Sequence, residues 1–145
     1  MYAHILIGTD GSDFAGKAVD QGLALAKALG SKVTVAKVTE PWTAAVSGEW
    51  ALAFPVEEYE NVAAANAAMI LSRVAEKAKN VGVACETVHI KDKFVADGLV
   101  EEAKARGCDL IAMASHGRRG FIKFVLGSEA MRVLSHSTIP VLICR

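Results

Sequence analysis

The chain has 145 residues, 52% of them hydrophobic and 22% charged, which fits one globular domain that buries roughly two-thirds of its unfolded surface. Sixteen basic side chains balance sixteen acidic ones, so the basic excess that marks a nucleic-acid binder is missing. The apolar runs fall far short of the ~18 residues a membrane span requires, and neither a membrane nor a nucleic acid is an expected partner.

Along the chain, Ala3 to Gly8 reads as a buried strand, short, rich in Ile and Leu, and bounded by turn formers. Phe14 to Leu29 sets Val19, Leu23, Ala26 and Leu29 near one helical face and stops at Gly30. Lys32 to Val38 is the second strand. Thr39 to Pro55 is a long irregular connection, whose two tryptophans, Phe54 and two prolines predict a packed loop or partner surface rather than a tether. Val56 to Lys79 predicts a long alanine-rich helix with Val62, Met69, Leu71 and Val74 among its apolar positions, ending before Gly82. Ala84 to Ile90 alternates, as suits an edge strand. A helix over Val95 to Arg106, a strand over Asp109 to Ala114, a helix from near Ser128 to Ser135 and a strand over Ile139 to Cys144 complete the series. This alternation predicts an α/β fold of one domain, residues 1–145, with a parallel sheet, helices on both faces and right-handed crossovers.

The opening MYAHILIGTDGS turns polar after Ile7, which is too early for a signal peptide. Cys85, Cys108 and Cys144 lack metal-ligand spacing and lie in or beside apolar runs, so they read as small buried hydrophobes in a reducing compartment. A cytoplasmic location follows as the expectation.

Open parallel sheets bind ligands beyond the carboxyl ends of their strands, where the strand order reverses. The loop after the first strand is Gly8-Thr9-Asp10-Gly11-Ser12-Asp13. Ser12 or Asp13 is placed to cap the next helix, whereas Asp10 comes too early and points to ligand contact. The loop after the fourth strand, Ala114 to Ser128, carries three glycines and three basic side chains and closes on a Gly-Ser pair that opens a helix. Unbonded N–H groups at such a helix start favour an anion, and Ser128 offers a cap or a phosphate donor. The chain lacks GxxxxGK[ST], GxGxxG, HExxH and GxSxG. His4 and His89 fall in strands and read as structural, His136 sits at a helix end, and His116 lies in the candidate loop.

These residues resemble the universal stress protein family, and its ATP-binding branch in particular. The likeness runs through ILIGTDGS, VTVAKV, CDLIAMASHGRRG and HSTIPVLICR. That branch is marked by Gly, two residues, Gly, nine residues, then Gly with Ser or Thr. Here Gly117 and Gly127-Ser128 stand at that spacing, and Ala114 replaces the first glycine. A left-handed backbone at that position would make the Ala114 Cβ cost about 1–2 kcal/mol, and a negative φ would make it harmless.

The resemblance implies a Rossmann-like, HUP-type sheet of order 3-2-1-4-5 that binds ATP (or ADP/AMP) with Mg²⁺. In it, Asp10 would hold the ribose, the Val38 backbone would meet the adenine edge, Met113 would pack on the base and Ala114 would lie near the ribose. Gly117, Gly127 and Ser128 would surround the phosphates, with charge added by Arg118 and Arg119. Thr9, His116, Gly120 and Glu129 complete the expected set. No catalytic residue and no protein-only metal site is expected. The family also implies a homodimer in which Ile139 to Cys144 pairs with its twofold mate, hiding an apolar edge. The expected function is a dimeric nucleotide-binding stress regulator with little or no turnover. A slow ATPase or nucleotide-activating enzyme and a nucleotide-free dimerisation module are the alternatives.

Overall fold

The structure is a computed structural model that describes residues 1–117 and 125–145. Its elements run β1 (His4–Gly8), α1 (Asp13–Leu29), β2 (Lys32–Thr39), α2 (Trp42–Ala45), α3 (Trp50–Ala53), α4 (Val56–Val81), β3 (Cys85–Lys91), α5 (Val95–Ala105), β4 (Leu110–Ala114), α6 (Ser128–His136) and β5 (Val141–Cys144). The sheet has the order β3-β2-β1-β4-β5 and every pairing is parallel. The expected α/β class and the order 3-2-1-4-5 are both found.

Alternation along the central strands explains the two layers of core, because successive side chains leave opposite faces of a sheet. Ile5, Ile7, Val33 and Val35 meet Val19 and Leu23 of α1 and Leu71 and Val74 of α4. Leu6, Ala36, Val38 and Ile111 meet Leu99 and Val100 of α5 and Val133 of α6. β1 is buried along its whole length, so it reads as a continuous apolar run. β3 lies at one edge and is mostly half-buried or exposed, as its alternating sequence suggests.

Several expectations change. Thr39 to Pro55 contains the one-turn helices α2 and α3 rather than irregular chain alone. Trp42 packs there by donating its Nε1–H to the Phe54 carbonyl at 2.8 Å, whereas Trp50 and Leu52 are 75% and 90% exposed. Val62 and Met69 face outward on α4, whose buried stripe is Ala67, Ile70, Leu71, Val74 and Ala78. β5 starts at Val141 because Pro140 has no N–H for the ladder, although its carbonyl accepts the Ile111 N–H at 2.9 Å. Cys108 and Cys144 are buried but Cys85 is half-buried, and all three are free thiols. Burial pushes the Cys108 thiol up to about 11.

Polar groups tie down the end of the sheet opposite the candidate site. The Asp109 carboxylate accepts the N–H groups of Ala3 and His4 at 2.9 and 3.0 Å. Partial burial raises its pKa, but these backbone bonds outweigh that and hold it low. His4 shares a 2.8 Å bond with Thr34, and burial, with Lys32 nearby, favours its neutral ring.

Candidate functional site

The strand order reverses between β1 and β4, the position at which open parallel sheets bind ligands. A cleft of about 620 Å³ fills that position, within the range of small-molecule sites. Its floor is the carboxyl edge of the sheet, with α4 on one side and α5 and α6 on the other.

The first loop is shaped by its short polar side chains. Thr9 Oγ1 accepts the Gly11 N–H at 3.2 Å, and Asp10 Oδ1 accepts the Ser12 N–H at 2.9 Å. Gly11 has φ 81°, a left-handed turn that favours glycine. Ser12 caps α1, its hydroxyl accepting the Ala15 N–H at 3.2 Å. Asp10 is therefore not the cap, and it lines the cleft.

The second loop is held against β4 by backbone. Gly127 donates its N–H to the Ser115 carbonyl at 2.8 Å, and a Cβ on Gly127 would stand only 2.6 Å from that oxygen. Glycine is required by this approach. Gly127, not Ser128, is the N-cap of α6, and no side chain caps the helix. The expected cap role of Ser128 is thus replaced, because the chain is already fixed by the Ser115 carbonyl one residue earlier. Ser128 becomes the first helical residue and lines the cleft. A Cβ on Gly117 would lie 3.1 Å from Asp10 Oδ2, so the two loops meet.

Thr9, Asp10, Val38, Met113, Ala114, His116, Gly117, Gly127, Ser128 and Glu129 all line the cleft, with Thr9, Val38 and Met113 largely buried. Arg118, Arg119 and Gly120 lie outside the described residues. Ala114 closes β4 opposite Cys144. Among the described residues only Asp92 combines a side chain with positive φ, so Ala114 carries no left-handed strain. His116 Nδ1 lies 3.1 Å from the Ser115 hydroxyl, and its ring centroid is 6.4 Å from that of Phe14. Glu129 Oε2 is buried with no hydrogen-bond partner among the described residues.

The backbone at the end of β2 is set by the phase of the ladder. Lys32 donates to Ala3 and Thr9 donates to Ala36, at 3.1 and 3.0 Å, while Val33 donates to Ala84 at 2.8 Å. Even-numbered residues of β2 thus face β1 and odd-numbered ones face β3. β1 stops at Gly8 and Thr9 forms the last rung, so Val38 aims its N–H and C=O past the end of β1 into the cleft.

The α4 wall was not anticipated. Tyr59, Ala63 and Asn66 line the cleft, as do Lys37 and Glu40. Their spacing of four and three residues puts the first three on one helical face, which is the signal that could have identified them. Tyr59 donates its hydroxyl to the Glu40 carbonyl at 2.8 Å, and burial, helped by the Glu40 charge, raises its pKa. His89 bonds Thr39 at 2.7 Å just outside this wall. Burial lowers its pKa, with Lys91 and Lys37 adding to the effect.

A sequence profile described as the universal stress protein family matches residues 1–145. Universal stress protein YxiE of Bacillus subtilis is 30% identical, with all of both chains covered. A universal stress protein solved in complex with cAMP superposes with a TM-score of 0.71 at 26% identity, covering 99% of this chain and 97% of its own. The universal stress protein of Archaeoglobus fulgidus in complex with dAMP superposes equally well, at 21% identity, covering 99% of this chain and 98% of its own. With the whole chain matched and the same sheet order found, the chain belongs to the universal stress protein family.

Proposed function

We propose that the cleft holds an adenine nucleotide, with ATP as its main ligand, and that the chain acts as a dimeric stress-response regulator with little or no turnover. The observation that carries this reading is the meeting of the two loops, with Asp10 Oδ2 3.1 Å from where a Cβ on Gly117 would be and Gly127-Ser128 beside them. Asp10 offers a carboxylate to ribose hydroxyls. The uncapped first turn of α6 offers N–H groups to phosphate. The Val38 N–H and C=O offer a donor and an acceptor to the base. The cAMP and dAMP complexes of related proteins support an adenine ligand.

Mg²⁺ fits this site as a phosphate-bound ion. Among the described residues no three His, Cys, Asp or Glu side chains gather into a protein cage, and magnesium at nucleotide sites commonly keeps phosphate and water ligands. The partnerless Glu129 oxygen and the Ser128 hydroxyl, both of residues that line the cleft, would hold such an ion or its waters. When bound, the ion would neutralise phosphate charge. Asp10 and Glu129 would otherwise repel a bare triphosphate.

The homodimer is proposed through β5, an edge strand whose Leu142 is 36% exposed. Pairing with a twofold mate would cover this edge. Among the described residues no helix is long and apolar enough to cross a membrane, and we read the protein as cytoplasmic.

Two measurements test the reading. Protein denatured after purification should release adenine nucleotide, and emptied protein should gain thermal stability with ATP and Mg²⁺, by about 2.7 kcal/mol at a hundredfold excess over Kd. Sedimentation should give twice the chain mass. No nucleotide released and no shift with ATP, ADP, AMP or cAMP would overturn the ligand, and a chain that sediments as a monomer would overturn the dimer.

A further inference from the structure

Lys37 stands at the corner of the cleft where a base would be read. It is odd-numbered in β2, so its side chain leaves the sheet on the α4 side, yet its Nζ reaches over and donates to the Val38 carbonyl at 2.7 Å. That carbonyl is the acceptor of the N–H and C=O pair directed past β1. An adenine presents a ring-nitrogen acceptor beside a donor amino group, which suits a bare N–H and C=O pair. An ammonium has three donors and no acceptor. Seated on the Val38 oxygen, it adds a cationic donor at the place where the amino group would bond.

With its Nζ on the Val38 oxygen, the Lys37 ammonium would act beside the Val38 N–H as a second donor to the base. Two adjacent donors match the O6 and N7 acceptors of a 6-oxopurine, the same pairing by which lysine and arginine read guanine in nucleic acids. The bond from Nζ to O6 would be charge-assisted, about twice as strong as a neutral one. Adenine is not shut out, because a carbonyl oxygen has two lone pairs and can accept from both the ammonium and the amino group.

We infer that Lys37 is a specificity-determining residue of the base subsite and that it admits 6-oxopurine nucleotides, guanine and hypoxanthine, alongside adenine ones. The inference rests on the nucleotide reading above. It adds that the base is selected by a lysine on a backbone carbonyl rather than by backbone alone.

Inosine triphosphate is the sharpest probe, since it differs from ATP only at the 6-position and the neighbouring N1 proton. Emptied protein is titrated calorimetrically with ATP, inosine triphosphate and GTP, each with Mg²⁺, for the native chain and for Lys37→Met and Lys37→Arg. The native chain should bind inosine triphosphate within about tenfold of ATP. Lys37→Met should weaken inosine triphosphate about tenfold more than it weakens ATP, and Lys37→Arg should keep the native ratio of the two. GTP should follow inosine triphosphate. Native protein that binds ATP but discriminates against inosine triphosphate by a hundredfold would overturn the inference and leave the nucleotide reading standing. Equal weakening of both ligands by Lys37→Met would also overturn it, by making the lysine a general contributor. Binding of neither ligand would remove the nucleotide reading and the inference together.

Discussion

The two ends of the cleft are built in different ways. At the α6 end the surface is backbone: Gly127 sits on the Ser115 carbonyl, Gly117 lies against Asp10, and the helix start carries no capping side chain. At the β2 end side chains contribute more of the surface: Lys37, Tyr59, Asn66 and Glu40 line the cleft, with Lys37 on the Val38 carbonyl and Tyr59 on the Glu40 carbonyl. A backbone surface has no smaller alternative to glycine, so its geometry demands particular residues at particular spacings. A side-chain surface can be rebuilt one residue at a time. On the proposed nucleotide reading, the α6 end would serve a feature shared by all nucleotides, and the β2 end would be free to choose among bases.

The comparison breaks most readily at the α6 end. Gly127→Val drives a Cβ to 2.6 Å from the Ser115 oxygen, so α6 must shift away from β4. Overpacking of this kind costs about 1–3 kcal/mol, and the displaced N–H groups no longer converge on a phosphate. The expected result is a lower melting temperature and no detectable stabilisation by ATP with Mg²⁺ in a thermal shift. A variant that melts lower but keeps the full ATP shift would separate the phosphates from α6. The contrast between the two ends would then be lost.

Asp10→Ala has the next largest effect, because it acts where the two loops meet. On the proposed reading the substitution removes the carboxylate that would accept from ribose hydroxyls, worth about 1.5–3 kcal/mol, or roughly ten- to hundredfold in Kd. It also removes the acceptor of the Ser12 N–H, while the Ser12 cap on α1 remains. Calorimetry should therefore show weak binding with little change in melting temperature of the empty protein. The deoxy ligand dATP tests the assignment, since the loss should be smaller for it than for ATP. Equal losses would move Asp10 away from the sugar.

The same contrast explains what could be read in the sequence. β1, β2 and β4 are apolar runs between turn formers, and α1 and α4 stop where glycine follows, so order and layers were legible. The glycine-serine pair and Asp10 were legible too, because a close backbone approach leaves no choice of residue. Lys37 and Tyr59 were not. A lysine within a strand and a tyrosine on an alanine-rich helix have no fixed spacing from the glycines, and only the tertiary crossing of α4 over β2 brings them to one wall. The helix starts at Ser128 as expected, but its cap was misjudged for a related reason. Serine is a common cap, but here the Ser115 carbonyl fixes the chain one position earlier. The outward turn of Val62 and Met69 reflects a helix rich enough in alanine that Ala67 and Ala78 can take the buried stripe instead.

Ala114→Gly is the smallest expected effect and tests whether the missing first glycine of the motif matters. Ala114 ends β4, is paired with Cys144, and has no left-handed strain to relieve. Restoring glycine there gives the unfolded chain more freedom and should cost roughly 0.5–1 kcal/mol of stability. ATP affinity should stay within about twofold of the native value, because the backbone groups this residue offers do not move. Melting curves with and without ATP and Mg²⁺ separate the two quantities. A rise in both stability and affinity would mean that the Cβ of Ala114 is crowded by the ligand or its own backbone. The α6 end would then extend one residue into β4, and the boundary between the backbone-built and side-chain-built halves of the cleft would have to be redrawn.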